Sequence, residues 1–230
     1  MGKLLITLLI IIITVIVFLL LNKLYIRFSN PFLLPILTTT ILMVSLLSVF
    51  NISYDTYMVG GEWINQLLGP AVVALAFPLY KQWNILKEHI FTILGGVFLG
   101  VLCGMISGLL LGKLSDISEE IAVSILPKSL TTPVAVQISG DLGGIPSLTA
   151  VFVMIAGLTG AILGSFILKL FHIKNPVSKG IAMGTASHAI GTSKAFEFGE
   201  LAFSMSSISM TLSAIFGSVL GPIIMNFFIN

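Results

Sequence analysis

The chain has 230 residues, 57% of them hydrophobic and only 9% charged, with a net charge of +2 from 11 basic and 9 acidic side chains. Soluble domains are about half apolar and about a quarter charged, so a mean hydropathy of +1.12 excludes an ordinary soluble domain. The composition predicts an all-α integral membrane protein, a single membrane domain over residues 1–230 embedded in the lipid bilayer. There is no basic patch for nucleic acid. The single cysteine, Cys103, has no partner for an internal disulfide, and with three scattered histidines it gives no metal-ligand spacing. No metal or other cofactor is expected.

Apolar runs near the ~20 residues that cross a bilayer recur along the chain. The first, residues 4–21, follows Lys3. It is too long for a signal-peptide core, and Asn22-Lys23-Leu24-Tyr25 is no cleavage site. It reads as a span. The second run covers 32–50. The third, 66–80, is short and holds Pro70 and Pro78. The fourth covers 90–112. The fifth, 121–139, is interrupted by Pro127, Lys128 and Pro133. The sixth covers 147–170, the seventh about 180–196 and the eighth 201–228. Trp63, Trp83, Tyr25, Tyr54, Tyr57 and Tyr80 all fall at segment ends, as in the aromatic belts of membrane proteins.

Lysine and arginine mark cytoplasmic connectors. Lys23 and Arg27 put the first connector inside, and Lys81 with Lys87 does the same for residues 81–89. Residues 51–65 carry Asp55 and Glu62 and no base, so they lie outside. Residues 113–120 set Lys113 against Asp116, Glu119 and Glu120, so they also lie outside. Lys169, Lys174 and Lys179 put 169–180 inside. Between residues 116 and 174 the chain must therefore cross an odd number of times. Segments five and six cannot both cross. Segment five, broken by proline, is the re-entrant one. The expected architecture is about seven transmembrane helices plus one re-entrant or broken segment.

A shift of 117 residues lays segments two to four on segments six to eight. Gly96, Gly100 and Gly104 then fall on Ser213, Gly217 and Gly221. Such small-xxx-small spacing lets helices approach closely. Residues 32–112 and 147–228 would form an inverted repeat, a pattern of secondary transporters.

Two stretches interrupt apolar segments with hydroxyls, helix breakers and a base. One is Leu126-Pro-Lys-Ser-Leu-Thr-Thr-Pro133. The other is Gly184-Thr-Ala-Ser-His-Ala-Ile-Gly-Thr-Ser-Lys-Ala195. An ionisable group inside a membrane segment costs several kcal/mol and points to function. Broken helices also expose N–H groups that attract anions. Lys128, Ser129, Thr131 and Thr132, with Thr185, Ser187, His188, Gly191 and Thr192, are therefore read as a substrate-binding set for a small anion. Lys128 has a bland alternative, snorkelling to the interface. His188 is either a packed, hydrogen-bonded residue or a proton carrier coupled to the anion. Lys194, Glu197 and Glu200 read as a solvated rim. No catalytic residue is assigned and no enzyme is expected. Ser187 and His188 are helix neighbours that point apart, and no nucleophile elbow frames the serine.

"LPKSLTTPVAVQISGDLGGIPSLTAVF" (126–152) and "GIAMGTASHAIGTSKAFEFGE" (180–200) resemble the LrgB/CidB family of bacterial membrane proteins. That family is similar to the C-terminal half of the plastidal glycolate/glycerate translocator. The resemblance extends over nearly the whole chain. It implies a multi-pass protein of the bacterial cytoplasmic membrane, working with a small LrgA/CidA-type membrane partner and compatible with homo-oligomers. Two activities are implied. One is transport of small monocarboxylates of the pyruvate and glycolate/glycerate class. The other is antiholin-like regulation of murein hydrolase export and cell lysis (cytolysis). A lysis regulator has no use for an anion site, so the residues favour transport.

Overall fold

The computed structural model describes residues 2–28, 33, 35–74 and 76–229. Among them there are helices and no strand, as the composition predicts. In chain order these are α1 (Gly2–Phe28), α2 (Pro35–Val49), α3 (Tyr54–Asn65), α4 (Leu68–Ala74), α5 (Ala76–Lys81), α6 (Trp83–Glu88), α7 (Ile90–Leu114), α8 (Glu119–Ile125), α9 (Thr132–Asp141), α10 (Pro146–Leu170), α11 (Pro176–Ala195) and α12 (Glu200–Ile229). A 3-10 turn, Phe196–Phe198, joins the last two.

The chain divides into two compact units, Met1–Ala71 and Val72–Asn230. In the first, α1 and α3 pack at Gly60, whose missing side chain leaves room for Ile10 and the Thr7 carbonyl. The second carries both polar stretches. Its core joins Ile93, Val97, Val101 and Met105 of α7 to Leu126 and Leu130 of the broken segment and to Met205 and Ile208 of α12.

Four described helices are long and apolar enough to cross a bilayer: Leu4–Phe28, Ile90–Leu114, Pro146–Leu170 and Glu200–Phe227. They correspond to segments one, four, six and eight. Segment two holds the 15-residue α2, and residues 32 and 34 at its start lie outside the described residues. Segment three is the two short helices α4 and α5. Segment five is α8 and α9, and segment seven reverses direction at its middle. Among the described residues, four single helices are thus long enough to cross alone, and the other expected segments are shorter or broken. In segments five and seven the helix is interrupted by backbone breaks.

Several helix ends use a left-handed residue. At the end of α10, His172 (φ 55) lets Ile173 N–H donate to the Leu168 carbonyl at 2.9 Å. Glycine is the usual residue at such a position. His172→Gly should raise stability by about 0.5–1 kcal/mol, because the strained φ costs glycine nothing. Thermal unfolding of the purified protein in detergent would show this as a modest rise in midpoint.

Candidate functional site

The first polar stretch is the tip of a hairpin. α8 has seven residues and α9 ten, about 10 and 15 Å long, against ~30 Å of hydrocarbon. They do not run on from one another. Ile145 N–H, just past α9, donates to Ser124 Oγ in α8 at 2.7 Å. Thr149 of α10 also donates to Ser139 of α9 at 2.6 Å. The end of α9 therefore returns beside α8. Along α7, Gly112 faces Ala122, Gly108 faces Ile125 and Gly104 faces Ser129. α8 thus descends antiparallel to α7 and ends near its middle. The re-entrant reading of segment five agrees with this path.

The break has local causes. Residues 126–131 leave the helix in tight turns, with Lys128 N–H donating to the Ile125 carbonyl and Leu130 N–H to the Pro127 carbonyl. Thr131 is extended (φ −67, ψ 140) and caps α9, with Pro133 in its first turn. An N-cap threonine ordinarily turns its oxygen to a free N–H of the first turn. Thr131 makes no such bond. Its hydroxyl is buried and has no partner.

The second polar stretch is also a reversal. α11 begins at Asn175, whose side chain accepts from Val177 N–H at 2.8 Å, and at Pro176. Its regular backbone stops at His188 (φ 42, ψ −133). In a straight helix, residues eight apart lie about 12 Å from each other. Here Gly191 lies against the Met183 carbonyl and the Ser187 side chain. The chain has folded back. The first limb packs on α12, where Gly180 and Gly184 meet the backbone of Ala202 and Ser206. Segment seven was expected as a full span, and this is a correction. Its two limbs, about 12 and 7 residues, share one tip at His188.

The tip is anchored on two sides. His188 is buried, and its Nε2 lies 2.9 Å from the Val153 carbonyl of α10. A carbonyl only accepts, so Nε2 carries the hydrogen. In the neutral ring Nδ1 keeps its lone pair. Gly157 leaves room for the imidazole and Gly160 for the Ser187 hydroxyl. Thr192 Oγ1 lies 2.9 Å from Ser206 Oγ of α12 and donates to the His188 carbonyl. Ser187 and His188 therefore turn to α10 without hydrogen-bonding each other, Gly191 seals the fold-back, and Thr192 faces α12.

A non-glycine residue at φ 42, ψ −133 costs about 1–3 kcal/mol and clusters at functional sites. His188→Gly removes that strain while deleting the imidazole. We expect the variant to fold with a thermal midpoint within a few degrees of wild type and to lose the activity proposed below. A variant that unfolds would show the ring to be structural only.

The two tips converge in part. Thr185 sits at Gly100 of α7, and Ser129 sits one helical turn away at Gly104. The Lys128 amine donates to the Gly104 carbonyl and lies 3.5 Å from Ser107 Oγ. Thr185 Oγ1 is buried and has no partner. Lys128, Ser129 and Thr185 thus share one wall. Thr131 and the half-buried Thr132 lie at the adjoining start of α9. Ser187, His188, Gly191 and Thr192 hold the second tip in place from behind. Sequence reasoning missed Gly157 and Gly160 as the seat of that tip, although their spacing was visible. Lys194 pairs with Glu197 at 2.7 Å, near the end of the second limb. Among the described residues, no group of three or more His, Cys, Asp and Glu could hold a metal ion.

Four long apolar helices and two oppositely entering hairpins define a multi-pass α-helical membrane protein with irregular backbone at membrane depth. Such backbone survives there only against protein or water. The chain belongs to the LrgB-like family, whose model matches residues 14–227. It is 57% identical to a Bacillus subtilis (strain 168) protein named "Uncharacterized protein YxaC", over 95% of each chain. It is 38% identical to "Holin-like protein CidB" of Staphylococcus aureus over 96% of each. It is 36% identical to the protein of that name from Staphylococcus epidermidis, over 99% of this chain and all of the other. No solved structure matches it.

Proposed function

We propose that this protein is a carrier of small monocarboxylates, of the pyruvate and glycolate/glycerate class, in the bacterial cytoplasmic membrane. One observation carries the reading. Two hairpins, entering from opposite ends of α7, bring an amine and two hydroxyls within about a turn of each other on one glycine face. An amine at that depth costs several kcal/mol unless it serves a charge. Lys128 holds the carboxylate, while Ser129, Thr131 and Thr185 donate hydroxyl hydrogen bonds to it. The N-terminus of α9 adds partial positive charge. Half-helix ends of this kind bind substrate carboxylates in carriers with broken helices. His188, with Nδ1 unprotonated in the neutral ring, takes the proton that accompanies the anion. A small LrgA/CidA-type membrane protein completes the carrier.

Uptake of labelled pyruvate and glycolate into proteoliposomes tests this, with and without the small partner. Absence of uptake in both preparations would overturn it. The relatives named holin-like favour a second reading, an antiholin-like regulator of murein hydrolase export and lysis. It predicts a permeability phenotype in cells that survives both Lys128→Ala and His188→Ala.

A further inference from the structure

Lys128 does not behave as a snorkelling lysine. A snorkelling side chain runs along its helix toward the interface. This one reaches sideways, to a carbonyl near the middle of α7. No carboxylate lies within 4.0 Å of it among the described residues, where the only pairs at that distance are His89–Glu88 and Lys194–Glu197. Its second contact, Ser107, is exposed, and so is Cys103 one turn further along the same face. An ammonium has three hydrogens to donate, and two contacts are accounted for. A charged amine at mid-depth, beside an exposed hydroxyl, cannot face hydrocarbon without a cost of several kcal/mol. Groups of this kind in membrane proteins face a cavity or a partner that solvates them.

We infer that Ser107 belongs to the carboxylate site, and that the face of α7 bearing Ser107 and Cys103 is the water-filled wall along which the anion reaches Lys128. The identity of the anion rests on the carrier reading. The wetted face rests on the position of the amine alone. In this geometry Ser107 Oγ lies beside Lys128 Nζ and donates its one hydrogen to the Gly104 carbonyl at 3.0 Å; an anion on the amine comes within its reach, and the hydroxyl rotates from that carbonyl to meet it. The hydroxyl positions the carboxylate, and the amine supplies the charge. Cys103 has no role in binding. It is the chain's single thiol and reports on the face.

The experiment uses the wild-type protein in proteoliposomes, with sulfonatoethyl methanethiosulfonate applied on both sides. This anionic reagent does not enter lipid. The Cys103 thiolate attacks its sulfenyl sulfur, a mixed disulfide forms and methanesulfinate leaves. Because the thiolate is the reacting species, a thiol in hydrocarbon stays unmodified. We expect modification of the wild type, none in Cys103→Ser, and inhibition of uptake. Pyruvate at ten times its Kd should slow the labelling about tenfold by simple occupancy. Ser107→Ala should raise KM by about tenfold, the loss of one hydrogen bond to a charged group, with kcat little changed.

An unmodified thiol that reacts once the protein is unfolded in detergent would overturn the inference, because lipid or another subunit then covers the face. Modification that neither pyruvate nor glycolate slows would also overturn it. Pyruvate uptake with an unreactive Cys103 would sink this inference and leave the carrier reading intact. A pyruvate-protected Cys103 without any uptake would do the reverse.

Discussion

Lys128→Ala abolishes pyruvate uptake while the protein still inserts, purifies and elutes as the wild type does. This is the expected result, and its size follows from the site. Removing one partner of a desolvated charge pair costs about 2–5 kcal/mol. The lower half of that range is already about a hundredfold in affinity. The fold loses little. The Gly104 carbonyl lies within a continuous helix, and deleting the amine also deletes its desolvation cost. Lys128→Met keeps most of the stem and should fail in the same way, which separates charge from packing. Lys128→Arg should do no better than partial rescue. The amine fits against Gly108, where an added Cβ would already crowd it, and a planar guanidinium needs more room. Normal kinetics in Lys128→Ala would mean that the lysine is a tether between the hairpin and α7. The carboxylate would then lie elsewhere.

The α8–α9 hairpin could be read in advance because two independent signals agreed. Pro127 and Pro133 broke the helix, and the charges of the flanking connectors forbade a crossing. The reversal within α11 offered neither signal. No proline lies between Pro176 and Pro222, and the reversal falls on a histidine in a conformation that glycine normally takes. The charges gave no help either. Lys179 lies before segment seven, but Lys194 is set against Glu197 and Glu200, the same acidic excess that reads as outside at residues 113–120, so the bias favoured a crossing. Residue types also marked the polar stretches without giving their directions. Thr185 and Ser187 are two residues apart in one motif, yet one faces α7 and the other α10. That division depends on which neighbours carry glycine: Gly100 and Gly104 on α7, and Gly157 and Gly160 on α10. Tertiary neighbours of this sort do not appear in a local pattern.

Gly184→Val is expected to leave no folded protein. A Cβ added at Gly184 would clash with the main-chain carbonyl oxygen, carbonyl carbon and Cα of Ser206. Backbone cannot rotate away as a side chain can. The first limb of α11 would have to lift off α12, and the buried cluster around Ile181, Met205 and Ile208 would open. Overpacking a tight core typically costs about 1–3 kcal/mol. Against rigid backbone, where nothing relaxes, the cost exceeds that range and approaches the whole stability of a domain, ~5–15 kcal/mol. Gly184→Ala should already lower the thermal midpoint steeply. The control is Gly95→Ala on α7, where nothing lies within 4 Å of an added Cβ. There the helix should gain up to about 1 kcal/mol, because glycine is a poor helix former. Both variants add a single methyl to a helix glycine. Helix propensity alone predicts that both stabilise, whereas the contact between the first limb of α11 and α12 predicts opposite signs. A Gly184→Ala protein as stable as Gly95→Ala would remove that contact. The support that holds the His188 tip against α10 and α12 would go with it.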